Sequence, residues 1–109
     1  MRRQGHFRED SGRYNEMIVG TMEVDIYIGW ATSLKDKRRV VKGLCDRIKS
    51  RYDVAIAEVG NCDLWQRSTL GIVCVSNEAR VVDSVLSRVL RDIESDPKLE
   101  VTGVEKCVL

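Results

Sequence analysis

Few of the 109 residues are of types that do chemistry. The one histidine, His6, stands in a polar N-terminal stretch, and the four cysteines, Cys45, Cys62, Cys74 and Cys107, share no C-x-x-C spacing. Neither a zinc site nor a His-activated nucleophile is expected from that set. Cys45 and Cys74 fall within apolar patterns, so the cysteines are expected to be free, mostly buried thiols in a reducing compartment, with Cys62 in a loop as the exception. The carboxylates offer Glu23 and Asp25, alternating along one strand, with Glu58 expected beside them on a neighbour. Such alternation is the ordinary polar face of a strand, and the segment that follows, IGWATS, is no Gly-rich phosphate cradle. The chain is expected to be non-enzymatic, with no metal and no cofactor.

Positive charge is the stronger signal. Between Ser33 and Arg51 stand Lys35, Lys37, Arg38, Arg39, Lys42, Arg47, Lys49 and Arg51 against Asp36 and Asp46, a net +6 in a chain whose total is +1. Wound at about 100° per residue, Leu34, Val41, Leu44, Cys45, Ile48 and Tyr52 fall on one stripe of a helix. Lys35, Arg39, Lys42 and Lys49 fall on the solvent side, with Arg38 on the flank. Cations in the first two turns oppose the helix dipole at about 0.3 to 1 kcal/mol each when exposed. A local conflict of that kind points to a surface that meets phosphates, a salt-dependent and largely sequence-independent interaction. The second helix, with Glu78, Asp83, Asp92 and Glu94 against Arg80, Arg88 and Arg91, has net charge −1, so charge is segregated between the helices.

A second constellation joins Glu58 to Asp63-Leu64-Trp65-Gln66-Arg67 in a short connection. Tryptophan there packs either on the domain's own edge or on a partner. Read as a binding cluster, Glu58, Trp65, Gln66 and Arg67 make a selective contact. Read as structure, Trp65 is tucked and Arg67 pairs with Glu58. Trp30, at the end of the first strand, carries the same two readings.

The elements that must position these residues follow from hydrophobic period. Met22, Val24, Ile26 and Ile28 alternate with Glu23, Asp25 and Tyr27 in a strand from Ile18 to Ile28. Ser33, with Asp36 three residues on, caps the basic helix. Strands are expected over Val54 to Gly60 and Arg67 to Ser76, joined by Asn61 to Gln66. A helix over Glu78 to Ser95 ends before Asp96-Pro97, and a last strand runs from Leu99 to about Val108. The order β-α-β-β-α-β is the ferredoxin-like α+β pattern: a four-stranded antiparallel sheet ordered 4-1-3-2, two helices on one face, the other face open. RNA-recognition motifs share that order but stack bases on strand aromatics, and here the third strand has none and the first only Tyr27. Residues 1–16 are expected to be a disordered extension and 17–109 the single domain. No apolar run approaches the roughly 20 residues of a membrane span and no signal peptide is evident, so the expected location is the cytoplasm.

Ser33-Leu34-Lys35-Asp36-Lys37-Arg38-Arg39-Val40-Val41, Ala57-Glu58-Val59-Gly60, Asp63-Leu64-Trp65-Gln66-Arg67 and Leu70-Gly71 resemble, in that order, the pattern of the YlxP-like family, small bacterial proteins of unknown function. The likeness runs from residue 17 to about 109, with Asp36 where the family commonly has Glu. It implies a ferredoxin-like fold and an association with translation initiation and ribosome maturation factors, hence a ribosomal or RNA partner. It supplies no catalytic residues. The expectation is an accessory protein that binds RNA or a ribosomal subunit through Lys35, Arg38, Arg39, Lys42 and Lys49, with Trp65, Gln66 and Arg67 adding selectivity. The alternative is a homo-oligomeric interaction module that uses the open sheet face, where Val54 and Ile56 are expected beside Glu58.

Overall fold

The computed structural model describes residues 16–109. The disordered extension expected at 1–16 falls, apart from Glu16, outside the described residues. Within them the elements are β1 (Ile18–Tyr27), α1 (Leu34–Arg51), β2 (Ala55–Gly60), β3 (Arg67–Ser76), α2 (Ala79–Glu94) and β4 (Glu100–Val108). The strands make one antiparallel sheet ordered β2-β3-β1-β4, the expected order read from the other edge. The fold is α+β and ferredoxin-like, with both helices on one face. Among the described residues no helix is long and apolar enough to cross a membrane.

Alternation builds the core. Met22, Val24 and Ile26 of β1, Leu70, Ile72 and Cys74 of β3 and Ile56 of β2 turn the same way, and their partners on the other face stay wet. Val40, Val41, Leu44 and Ile48 of α1 and Val82, Leu86, Val89 and Ile93 of α2 recur at three and four residues and close over them. The fit of α2 on β1 is close enough to require glycine at one position. A Cβ on Gly20 would stand 2.3 Å from Val82 Cγ1 and 2.9 Å from Leu86 Cδ1.

The start of α1 is fixed by its cap. Ser33 Oγ accepts from the Asp36 N–H at 3.0 Å, and Asp36 Oδ2 in return accepts from the Thr32 N–H and hydroxyl, both at 3.0 Å. Those two Thr32 bonds hold the Asp36 carboxyl below the ordinary carboxylate range. The helices are tied to each other by carboxylates at the end of α2. Asp92 accepts from Arg47, Arg51 and the Tyr52 hydroxyl, and the buried Asp96 from Arg47 and the Lys98 N–H. Burial pushes both carboxyls up, but the bonds outweigh it and both sit below the ordinary range.

Candidate functional site

At the end of the sheet where β1 hands over to α1 and β2 to β3, three of the four segments that carry the family likeness meet, residues 33–41, 57–60 and 63–67. Lys37, one of the cations of the basic helix, is completely buried. Its Nζ donates to Glu58 Oε2 at 2.8 Å and to the carbonyls of Asn61, Cys62 and Arg67 at 2.9, 3.0 and 3.3 Å. The same Glu58 oxygen accepts from Ser68 Oγ at 2.7 Å. One ammonium thus closes the β2–β3 hairpin from inside and pins it to the first turn of α1. A buried charge is tolerable only when paired and saturated with acceptors, and this one is.

This arrangement overturns the expected pairing of Arg67 with Glu58, because Glu58 is already occupied by Lys37 and Ser68. Arg67 lies on the other side of the sheet, its guanidinium 5.4 Å from the centre of the Tyr27 ring. Glu58 likewise does not join Glu23 and Asp25. It shares the helix-facing side of β2 with the buried Ile56, and Val54 just before the strand also packs against the core. The expected exposure of Val54 and Ile56 on the open face is therefore reversed, and Ala55, Ala57 and Val59 stand there instead.

Gln66 fastens the hairpin to the β1–α1 loop, its Nε2 donating to the carbonyls of Gly29 at 2.9 Å and Ala31 at 3.2 Å. Asn61 takes the left-handed conformation, φ 57°, that a tight turn needs and Asn tolerates. Fastened on both sides, the hairpin leaves its tip outside. Trp65 is 55% exposed and Leu64 47%, so the tucked tryptophan is not what forms. Trp30 is 52% exposed as well, yet its Nε1 donates to the Lys98 carbonyl at 2.9 Å.

Lys35, Arg38, Arg39, Lys42 and Lys49 are all exposed on α1. Lys42 is engaged by Asp46 at 2.9 Å, which raises the lysine and lowers the aspartate in pKa. Arg47 and Arg51 turn to Asp92 and Asp96. Among the described residues, Lys35, Arg38, Arg39 and Lys49 enter no ion pair. The open sheet face has the opposite character. Glu23 and Glu105 sit directly across from each other on β1 and β4, Asp25 is one position further along that face of β1, and Val59, Val73 and Val75 are exposed on β2 and β3.

The cysteines are free, but only Cys74 is buried, with Cys45 half-buried and burial pushing both thiols up. Cys62 is exposed as expected, and Cys107 is exposed because it stands opposite Thr21 on the open face of the sheet. Lys37 is the residue that reading charge by count overlooks. Its helical angle, about 300° from Leu34, falls on the apolar stripe, and that angle was the available signal.

The chain matches the model of a family described as a protein of unknown function (DUF503) over residues 19–106. It is 39% identical over 85 residues to the uncharacterized protein YlxP of Bacillus subtilis (strain 168), covering 78% of this chain and 92% of that protein. With the family likeness of its motifs, its fold and both comparisons in agreement, the chain belongs to the YlxP-like DUF503 family of proteins of unknown function.

Proposed function

We propose that this is a non-enzymatic accessory protein of the cytoplasm that binds structured RNA, free or in a ribosomal subunit, through the solvent face of α1. The observation that carries the reading is that Lys35, Arg38, Arg39 and Lys49 stand exposed and unpaired among the described residues, while the open sheet face is acidic. Cations that the fold does not use for itself are available to phosphates, and Glu23, Asp25 and Glu105 turn the phosphate backbone away from the middle of the far face. Four phosphate contacts give a log-log salt slope of about −3 to −4, at roughly 0.7 to 0.9 per contact. Lys35→Glu with Arg39→Glu is expected to abolish co-sedimentation with ribosomal subunits at low salt and to leave the melting temperature within a few degrees of wild type. Undiminished co-sedimentation of that variant sinks the reading.

A second reading rests on a separate observation. Val59, Val73 and Val75 are 57%, 42% and 58% exposed on the open face, with Val75 opposite Val19 in the β1–β3 ladder. An uncovered apolar patch on a sheet favours association of copies of the chain. Light scattering at tens of micromolar tests it, and a strict monomer there removes it.

A further inference from the structure

We infer that Trp30 and the cleft beside it form a site for one unpaired guanine base of a single-stranded RNA segment. The inference rests on the RNA reading above and names what that RNA must present. The cleft has a volume of about 320 Å³, at the small end for ligand sites, with room for a base and its sugar. Trp30, Pro97, Lys98, Leu99 and Glu100 line it.

Three features select the occupant. Exposed tryptophan ordinarily keeps its indole N–H for water or a partner, but Trp30 donates it to the Lys98 carbonyl at 2.9 Å. The ring is thereby held in one orientation and offers solvent a flat apolar surface, which is what stacking on a base requires. Tyr27, also in the wall, cannot share that role, since its ring lies against Gly29 and under the Arg67 guanidinium. The second feature is Glu100, which among the described residues has neither an ion pair nor a side-chain hydrogen bond. A free carboxylate repels phosphate, so the cleft is not one more backbone contact. It matches two adjacent N–H donors, and of the four RNA bases only guanine presents such a pair on its Watson–Crick edge, at N1 and N2. The third feature is position. Lys35 follows Trp30 by five positions, at most about 18 Å of chain, so an extended strand stacked on Trp30 runs its backbone onto the unpaired cations at the start of α1.

Short uridine oligonucleotides carrying one central guanosine, one central adenosine or neither, read by fluorescence anisotropy beside an RNA duplex, test the site. The expected result is that the guanosine strand binds at least about fivefold tighter than the other two, the low end of what one bidentate base contact discriminates. Trp30→Ala is expected to remove that advantage and Glu100→Gln to equalise guanosine with adenosine, with duplex affinity unchanged in both and the melting temperature unchanged in Glu100→Gln. Equal binding of all three strands, or a guanosine preference that survives Trp30→Ala or Glu100→Gln, overturns the base site. If those strands and the duplex still bind in a salt-dependent way that Lys35→Glu with Arg39→Glu weakens, only the base site falls. If none of them binds, the phosphate reading falls with it.

Discussion

Replacing Lys37 by methionine keeps an unbranched side chain one atom shorter and deletes the ammonium and its charge, which isolates what the buried ammonium does. The lysine side chain is fully buried and that of Glu58 is 19% exposed. The variant leaves the carboxylate with Ser68 alone and strips a donor from the carbonyls of Asn61, Cys62 and Arg67. Breaking a buried ion pair from one side costs about 3 to 5 kcal/mol. Partial access of water to Glu58 and the hairpin loop places this case near the lower figure, about 3 kcal/mol. In a domain of this size that corresponds to a fall in melting temperature of about 12 to 24 °C. Lys35→Met, two residues away on the exposed face, is expected to stay within about 0.5 kcal/mol of wild type. Adding Glu58→Met to Lys37→Met removes the stranded carboxylate and is expected to recover about 1 kcal/mol or more, leaving the loss at the three carbonyls. Urea unfolding followed by circular dichroism gives all four values. Lys37→Met indistinguishable from Lys35→Met, or a double variant no more stable than Lys37→Met, refutes the role assigned to the ammonium.

Two other expectations concern charge. Asp92 and Asp96 both have folded pKa values below the ordinary 3.8, so their contribution to stability is fully present above about pH 4 and is lost as pH falls through the lowered values. The melting temperature is expected to hold between pH 7 and about 5 and to drop below about 4, less steeply in Asp92→Asn, and a flat profile from pH 5 to 3 counts against the assignment. Glu23 and Glu105 face each other in the β1–β4 ladder with like charge. Glu105→Lys converts that repulsion to attraction and is expected to stabilise by about 0.2 to 1 kcal/mol, measured by urea midpoint, whereas any loss of stability contradicts the register.

What the sequence made legible is what period and caps control. Ser33 and Asp36 announced the start of α1, Asp96-Pro97 the end of α2, and alternation in β1 the buried side of the sheet. The side of β2 was not legible for a physical reason. Ala55, Ile56, Ala57 and Val59 put small or apolar groups at both parities, so a strand of 6 residues carries no clear alternation. Only its neighbour fixes it, through Ile56 opposite Ile72. The exposure of Trp65 was equally hidden, since it follows from Lys37 and Gln66 holding the hairpin from below, contacts between segments more than 20 residues apart in the case of Lys37.

The buried lysine also changes what the basic helix means. Of its eight cations, Lys37 fastens the hairpin, Arg47 and Arg51 fasten α2, and Lys42 is matched by Asp46. A net +6 that looked like one surface therefore divides into fasteners and a remainder of four. The fasteners matter to the remainder. Lys37 and Gln66 set the hairpin and the β1–α1 loop against the start of the same helix that displays Lys35, Arg38 and Arg39, so the anchored Trp30 and these three of the four free cations belong to one end of the molecule. A ligand that meets both loses less freedom on binding than one that must order a loop first, which is the advantage of a preformed site. Lys37→Met should then weaken RNA binding through the hairpin and loop without touching a phosphate. Its salt slope should stay near the wild-type value while affinity falls, because the number of phosphates engaged is unchanged. A slope that falls together with the affinity would instead place Lys37 among the phosphate contacts, which its burial forbids.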